Sequence, residues 1–430
     1  MKNYLGGINM NKELRKKYIE DIQKQEPYMT GIRIRYNGEI REFKAYKIRL
    51  EYLVYNKYNG RIGSVVKSFE KENRVLNPEL VEDKIIIENF LFGSKVDRNN
   101  STMQDLVKNM QQEYGMITID GTIIDGNRRA SLLNRIYSNR EIWEKKGNNV
   151  DHAQFFIAII LPEESDQKEI IRLETTYQLG KDEKLDYNPI EKYLKCKDLL
   201  EFWTVSDIAK MMDEKEKVIE QYLKILELME EYLQYFGYDG IYTRLEKRED
   251  QFIQLWNYLN SYKSGSKTVM WEYQDEDILD LQSVCFDYIR AEYEGKDFRK
   301  IMNTKDGFFV KEDTWKNFYN HHIETVQKVT EIEESIEEQR KKYPGSPLSK
   351  LLSQRDEEWK KNVISDMKSN MSAAQNSIDN ERDTKKPAEL LRKALDTVNK
   401  IDLSYLDENC TELLEQMIVR IDYMKKKLDN

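Results

Sequence analysis

The residues that punctuate a chain are scarce here. Seven prolines and eighteen glycines among 430 residues are too few turn formers for a loop-rich all-β protein. Cysteine is scarce too: Cys196, Cys285 and Cys410 are far apart and odd in number, which argues against a disulfide framework and against a thiolate zinc site. Of the three histidines, His152 stands alone. His321 and His322 are adjacent and cannot share one helix face, so the pair reads as a surface feature rather than a metal site. No run of eighteen apolar residues and no apolar N-terminal segment occurs. Neither a membrane span nor a secretory leader is therefore expected, and the expected location is cytoplasmic. Positive charge is also short. Asp and Glu outnumber Lys and Arg by 78 to 69, a net charge of −9, which disfavours nonspecific coating of DNA but leaves room for a local basic groove.

What remains is 39% hydrophobic and 34% charged, the composition of a helix-rich chain long enough for about two to four domains and a sizeable core. The most informative stretch is Met116–Leu133. Met116–Ile119 and Thr122–Ile124 are β-branched and apolar, and Asp120-Gly121 between them is a preferred two-residue hairpin turn. Asp125-Gly126 breaks the second strand, and a helix follows with Ala130, Leu133, Ile136 and Tyr137 on one face. Arg128 and Arg129 fall in its first turn, where cations are disfavoured by roughly 0.3–1 kcal/mol each. Free N–H groups, a positive dipole end and two guanidinium forks suit a phosphate or another anion. The alternative is that Asp125 and other carboxylates neutralise the pair and the motif only caps a helix.

The flanking elements follow in order. A short helix is expected around Lys12–Gln25, then a hairpin of Ile32–Tyr36 and Ile40–Tyr46 around Asn37-Gly38. Tyr46–Val54 is a third strand candidate, and Tyr55–Ile62 is Asn-rich and contains Arg61. Glu79–Phe92 reads as helical, Ser94–Ser101 as a polar loop, and Thr102–Glu113 as an amphipathic helix stopped by Gly115. Phe155–Leu161 has the length and apolar continuity of a buried strand, and Gln167–Tyr177 is helical in pattern. Asn188, Pro189 and Glu191 form a capping phrase, with Glu191 placed to close a capping box. Val205–Met212 and Val218–Leu228, separated by a break at Asp213, carry a helix-turn-helix signature. Lys215, Lys217, Gln221 and Lys224 would face DNA, yet Glu201–Leu226 holds six acidic and four basic side chains, a poor match to phosphates.

This ordered series resembles the ParB/sulfiredoxin-like superfamily. Gly126-Asn127-Arg128-Arg129 is similar to its phosphate-binding box, and Asn56, Asn59 and Arg61 to its Asn/Arg element. Glu174 matches the Glu of a Glu-Asn pair whose Asn helps hold a magnesium-bound nucleotide; Thr175 stands in that Asn's place. The likeness spans roughly residues 45–230. It excludes sulfiredoxin chemistry, which needs a Cys where Asn127 stands.

The resemblance implies an α+β fold: a small mixed-sheet domain followed by a mostly α-helical remainder. The expected division is a lead-in over 1–30, the ParB-like domain over 31–180, a helix-turn-helix-like domain over 181–262, a helical domain over 268–342 and a helical interaction region over 348–430. It implies that Gly126, Asn127, Arg128, Arg129, Asn59 and Arg61 hold a nucleotide, CTP or ATP, with Mg2+. Glu174 would orient an arginine, water or the metal, and an enzyme at this pocket, an NTPase, nuclease or phosphotransferase, would draw its catalytic carboxylates from Asp125 and Glu174, with Glu51 a further candidate.

Three activities are open at this stage. One is a nucleotide-controlled contact with DNA or a protein partner. Another is a nuclease or phosphotransferase using the same pocket. The third is a non-catalytic scaffold from a mobile-element or phage-defence system. In the C-terminal part, Asp277–Tyr293 and Lys311–Lys342 look helical and Tyr343–Pro347 is a linker. Helical stretches at Leu348–Asn370 and Ala388–Ile401 would be separated by a polar segment. Cys410–Leu428 carries Leu413, Leu414, Met417, Ile418, Ile421 and Met424 at helical spacing. Such a stripe packs a core or binds a protein partner or second copy.

Overall fold

Asn37 and Gly38 both take positive φ, 49° and 82°, the left-handed backbone of a tight hairpin turn. In the computed structural model, which describes residues 11–163, 165–179, 188–265 and 269–428, helix α1 (Lys12–Gln23) precedes that hairpin, made of β1 (Met29–Tyr36) and β2 (Glu39–Arg49). Met1–Met10 of the lead-in, Leu185–Tyr187 before the capping phrase and Ser266-Lys267 of the Ser/Gly/Lys linker that the sequence suggests at Ser261–Lys267 lie outside the described residues. The third strand expected over Tyr46–Val54 does not form. β2 runs on to Arg49 and the chain then tightens into a 3-10 turn at Leu50–Tyr52.

Three further strands, β3 (Gly115–Ile117), β4 (Ile123–Asp125) and β5 (Phe155–Ile160), complete a mixed sheet in the order β1-β2-β5-β3-β4. β3 and β5 are parallel and the other neighbours antiparallel. β5 lies at the centre, which explains its unbroken apolar run: a strand covered on both faces has no polar side. Tyr46, Ile48, Phe156, Ala158 and Ile117 belong to the core on one face. Ile34, Tyr36, Ala45, Ile157 and Ile159 belong to the core on the other. Gly115, expected to stop a helix, is instead a strand residue, and Thr118–Thr122 form a longer connection than the expected two-residue turn.

The helices that follow β2 are α2 (Gly63–Glu72), α3 (Val81–Gly93), α4 (Val96–Asn109), α5 (Asn127–Ser138), α6 (Arg140–Glu144) and α7 (Gln167–Leu179). The polar Ser94–Ser101 stretch is not a loop. Most of it is the first half of α4, because Asn99 is buried and donates through Nδ2 to Leu91 O and Phe92 O at 3.1 and 2.6 Å. α4 stops at Met110, φ 62°.

A helical layer of α8 (Pro189–Leu199), α9 (Val205–Met212) and α10 (Glu216–Tyr235) comes next, around Cys196, Leu199, Ile208, Met212 and Ile219. Thr204 and Asp207 cap α9 reciprocally, and Asp213, φ 52°, turns the chain into α10. The second helix of the expected pair is twenty residues long rather than short. Of its expected DNA-facing positions, Lys215 and Lys217 are exposed, Gln221 is half-buried, and Lys224 pairs with Glu227 at 2.8 Å.

The remaining helices are α11 (Glu249–Lys263), α12 (Asp275–Arg290), α13 (Gly295–Met302), α14 (Glu312–Thr330), α15 (Ile336–Lys342), α16 (Leu348–Val398) and α17 (Glu408–Leu428). The chain divides into two compact units. One comprises residues 1–267, 273–299 and 332–360, the other 268–272, 300–331 and 361–430. In the first, Asp356 is buried among Arg244, Arg290 and Tyr238. In the second, Asn370 donates to Phe318 O at 2.8 Å and Lys311 pairs with Glu381, joining α14 to α16.

Several expectations change in this part of the chain. Lys311–Lys342 forms two helices, α14 and α15, not one. The two stretches expected at Leu348–Asn370 and Ala388–Ile401 are joined in the single 51-residue α16. His322, expected at the surface, is buried on α14 while His321 faces outward. The apolar stripe of α17 packs no core: Leu413, Leu414, Met417, Ile418 and Ile421 are exposed. No helix among the described residues is long and apolar enough to cross a membrane.

Candidate anion-binding site

Gly126 sits where β4 ends and α5 begins, with φ at 93°. A side chain there meets two obstacles, the left-handed backbone and the Phe156 ring, whose Cζ lies 2.7 Å from where a Cβ would be. A Cβ on Gly115 of β3 would run into the same ring. Phe156, fully buried on β5, therefore draws the two short strands close and fixes the point at which α5 starts.

Around that point lies a cavity of about 520 Å³, within the range of small-molecule sites. Its lining brings together all six residues expected to hold a nucleotide: Asn59, Arg61, Gly126, Asn127, Arg128 and Arg129. Asp125 joins them. Arg98 and Thr102 of α4, together with Met29, Tyr114 and Tyr177, also line it and escaped the sequence reading. The missed signal was the start of α4: once Arg98 is helical, it and Thr102 lie four apart on one face.

The arginines are held differently. Arg128 Nε donates to Asn99 Oδ1 at 2.5 Å and Nη2 to Thr102 Oγ1 at 3.5 Å, both neutral acceptors. Burial, helped by the like charges of Arg61, Arg98 and Arg129, pulls its pKa down to about 10. Arg129 instead ties down the approach to β3, donating to Glu113 O and Tyr114 O at 3.1 and 3.3 Å and pairing with the Glu113 carboxylate at 3.0 Å. Asn127 is structural in its side chain: Nδ2 donates to Ile123 O at 3.0 Å, and Oδ1 accepts from Asn56 N at 2.9 Å. Burial raises the pKa of Asp125, opposed by Arg129 and Arg61. Burial likewise raises Tyr177, to about 12.

Glu174 does not pair with Arg128 or Arg129 as expected. Its carboxylate accepts from Lys195 of α8 at 3.0 Å and from Asn56 Nδ2 at 3.2 Å. Both members of the Lys195–Glu174 pair are buried, and a carboxylate taken out of water needs a cation desolvated with it. Burial raises the pKa of Glu174, with Lys195 opposing. Glu174, the residue expected to hold the metal, is not among the residues that line the cavity. Among the described residues no group of three His, Cys, Asp or Glu side chains is placed to hold a metal ion.

Glu191 also departs from expectation. Asn188 caps α8 and Pro189 occupies its first turn as read. The Glu191 carboxylate, however, accepts from Ser64 N at 3.0 Å and from the Ser64 hydroxyl at 2.5 Å, at the start of α2. It thus serves the N-terminus of another helix. Burial pushes its pKa up to about 7.

Compared with family models, curated proteins and solved structures, the chain matches none.

Proposed function

We propose that this chain binds a nucleotide, CTP or ATP, by its phosphates at the start of α5, and that the bound nucleotide controls contact with DNA or a protein partner. The observation that carries the reading is Arg128, half-buried among three other guanidiniums with neutral hydrogen-bond acceptors. A half-buried guanidinium bonded only to neutral acceptors lacks a compensating anion, and a phosphate accepts from guanidinium forks and helix N–H groups together. Met29, Tyr114 and Tyr177 supply an apolar and aromatic wall of the kind a base packs against. The donor set suits an anion, whereas Glu174, bonded to Lys195 and Asn56, does not fit a magnesium ligand. The exposed stripe of α17 supports a protein partner or a second copy of the chain.

Asp125 favours a second reading, turnover at the same pocket by a phosphotransferase or nuclease. Its buried carboxyl, with a raised pKa, is suited to hold a proton beside the phosphates.

The test is thermal stability with CTP, ATP, GTP and their diphosphates, each with magnesium, on wild type and Arg128→Met. A ligand at about 100 times its Kd adds roughly 2.7 kcal/mol to the folded state. A shift with one nucleotide, lost in the variant, supports the reading; no shift with any of them retires it. The second reading expects turnover that disappears in Asp125→Asn while the thermal shift remains.

A further inference from the structure

The β1–β2 hairpin concentrates positive charge in an acidic protein. Residues 29–49 contain six basic side chains and two acidic ones, a local balance of +4 in a chain of net −9. Arg33, Arg35, Arg41, Lys44 and Lys47 are all exposed, and none of them is in an ion pair among the described residues. Arg49, by contrast, is neutralised by Glu51 at 2.8 Å.

The hairpin also projects beyond the rest of the sheet. β2 pairs with β5 only over Ala45–Arg49, while β1 and β2 continue as a two-stranded ribbon to the Asn37-Gly38 turn. One face of this ribbon is backed by α7 and the residues leading into it. Tyr36 Oη meets Ser165 Oγ at 2.7 Å, Asn37 N donates to Glu169 Oε1 at 2.7 Å, and Arg172 Nη2 donates to Arg35 O at 2.9 Å. The register places Arg33 opposite Glu42 and Arg35 opposite Ile40, and the alternation of a strand puts Lys44 on that same open face.

We propose that this open face is a binding surface for duplex DNA. The major groove of B-DNA, about 12 Å wide, admits a two-stranded β-ribbon. The major groove of duplex RNA is too deep and narrow for side chains to read. Guanidinium and ammonium groups without carboxylate partners are available to phosphates and guanine edges. The ribbon is braced on its other face, so little ordering cost attends docking. α10 is the poorer candidate, because Glu216, Glu220 and Glu227 are exposed among its lysines. The inference is independent of the nucleotide reading, since no residue of the open face lines the cavity.

The experiment is fluorescence anisotropy on the full chain with a labelled DNA duplex of about two helical turns. It is run across a salt series, with and without CTP and ATP. The variants are Arg33→Ala/Arg35→Ala/Lys44→Ala and, for comparison, Lys215→Ala/Lys217→Ala/Lys224→Ala. The ribbon variant should lose at least about tenfold in affinity, and its log K against log salt slope should fall by roughly 2–3, near 0.9 per lost phosphate contact. Its thermal midpoint should not move, because the three side chains are exposed. The α10 variant should bind as wild type does. The proposal is overturned by the absence of duplex binding under every nucleotide condition, by a ribbon variant that binds normally, by loss confined to the α10 variant, or by equal or tighter binding of the same sequence as duplex RNA.

Discussion

Arg128→Met is the most informative single change, because two opposing effects meet at that side chain. In the folded protein its pKa is lowered well below the ordinary guanidinium value, to about 10, and each tenfold weakening of proton binding corresponds to about 1.4 kcal/mol. The residue is half-exposed, so solvent screening reduces the cost of keeping it charged to about 1–2 kcal/mol. Below about pH 10 the group is charged in the folded and unfolded chains alike, so acidification leaves this cost unchanged. Methionine removes it, keeps most of the aliphatic stem, and leaves the buried Asn99 Oδ1 without its donor, a loss of about 1–3 kcal/mol. The two effects largely cancel. Denaturant unfolding of Arg128→Met in chloride buffer should therefore give a stability within about 1 kcal/mol of wild type. Replacing chloride with inorganic pyrophosphate at matched ionic strength should stabilise wild type and leave the variant unchanged. A variant destabilised by several kcal/mol, or one stabilised by pyrophosphate as much as wild type, would refute the like-charge account of the cavity.

Three further outcomes follow from the packing. Gly126→Ala forces a Cβ into the Phe156 ring at a left-handed backbone; it should cost well over 1 kcal/mol in thermal unfolding, whereas Gly31→Ala, with φ 75° but nothing within 4 Å, should show only the backbone strain of about 1 kcal/mol. Glu174→Ala should destabilise by about 3–5 kcal/mol, since it strands buried Lys195; unchanged stability with lost activity would return Glu174 to a catalytic role. Glu191 has a folded pKa of about 7 against an ordinary 4.5, so the folded state binds the extra proton between those values. Its contribution is most favourable below about pH 4.5 and declines by at most about 3 kcal/mol as the pH rises to 7. Glu191→Gln should flatten that slope in urea titrations across this range, and an unaltered slope would remove the assignment.

Local rules were sufficient where neighbours along the chain set the geometry. Asn37-Gly38 specifies its hairpin turn, the apolar continuity of Phe155–Leu161 marks the covered central strand, and Asn188-Pro189 starts α8, each through contacts within a few residues. The strand–glycine–helix passage at Asp125–Arg129 was legible for the same reason, and with it five of the cavity's residues. The likeness of Asn59 and Arg61 to a known element placed two more. Other features needed the folded chain. Arg98 and Thr102 reach the cavity only because buried Asn99 holds the start of α4 in helical form. Glu174 turned to Lys195, 21 residues on, and Glu191 to Ser64, 127 residues back. Such choices are made by burial: a carboxylate carried into the interior takes the cation or N–H donors desolvated beside it, and sequence spacing does not say which those are. The exposed cations of the β1–β2 ribbon were visible as residues from the start. Their shared open face, backed by α7 and projecting past β5, was decided by tertiary packing.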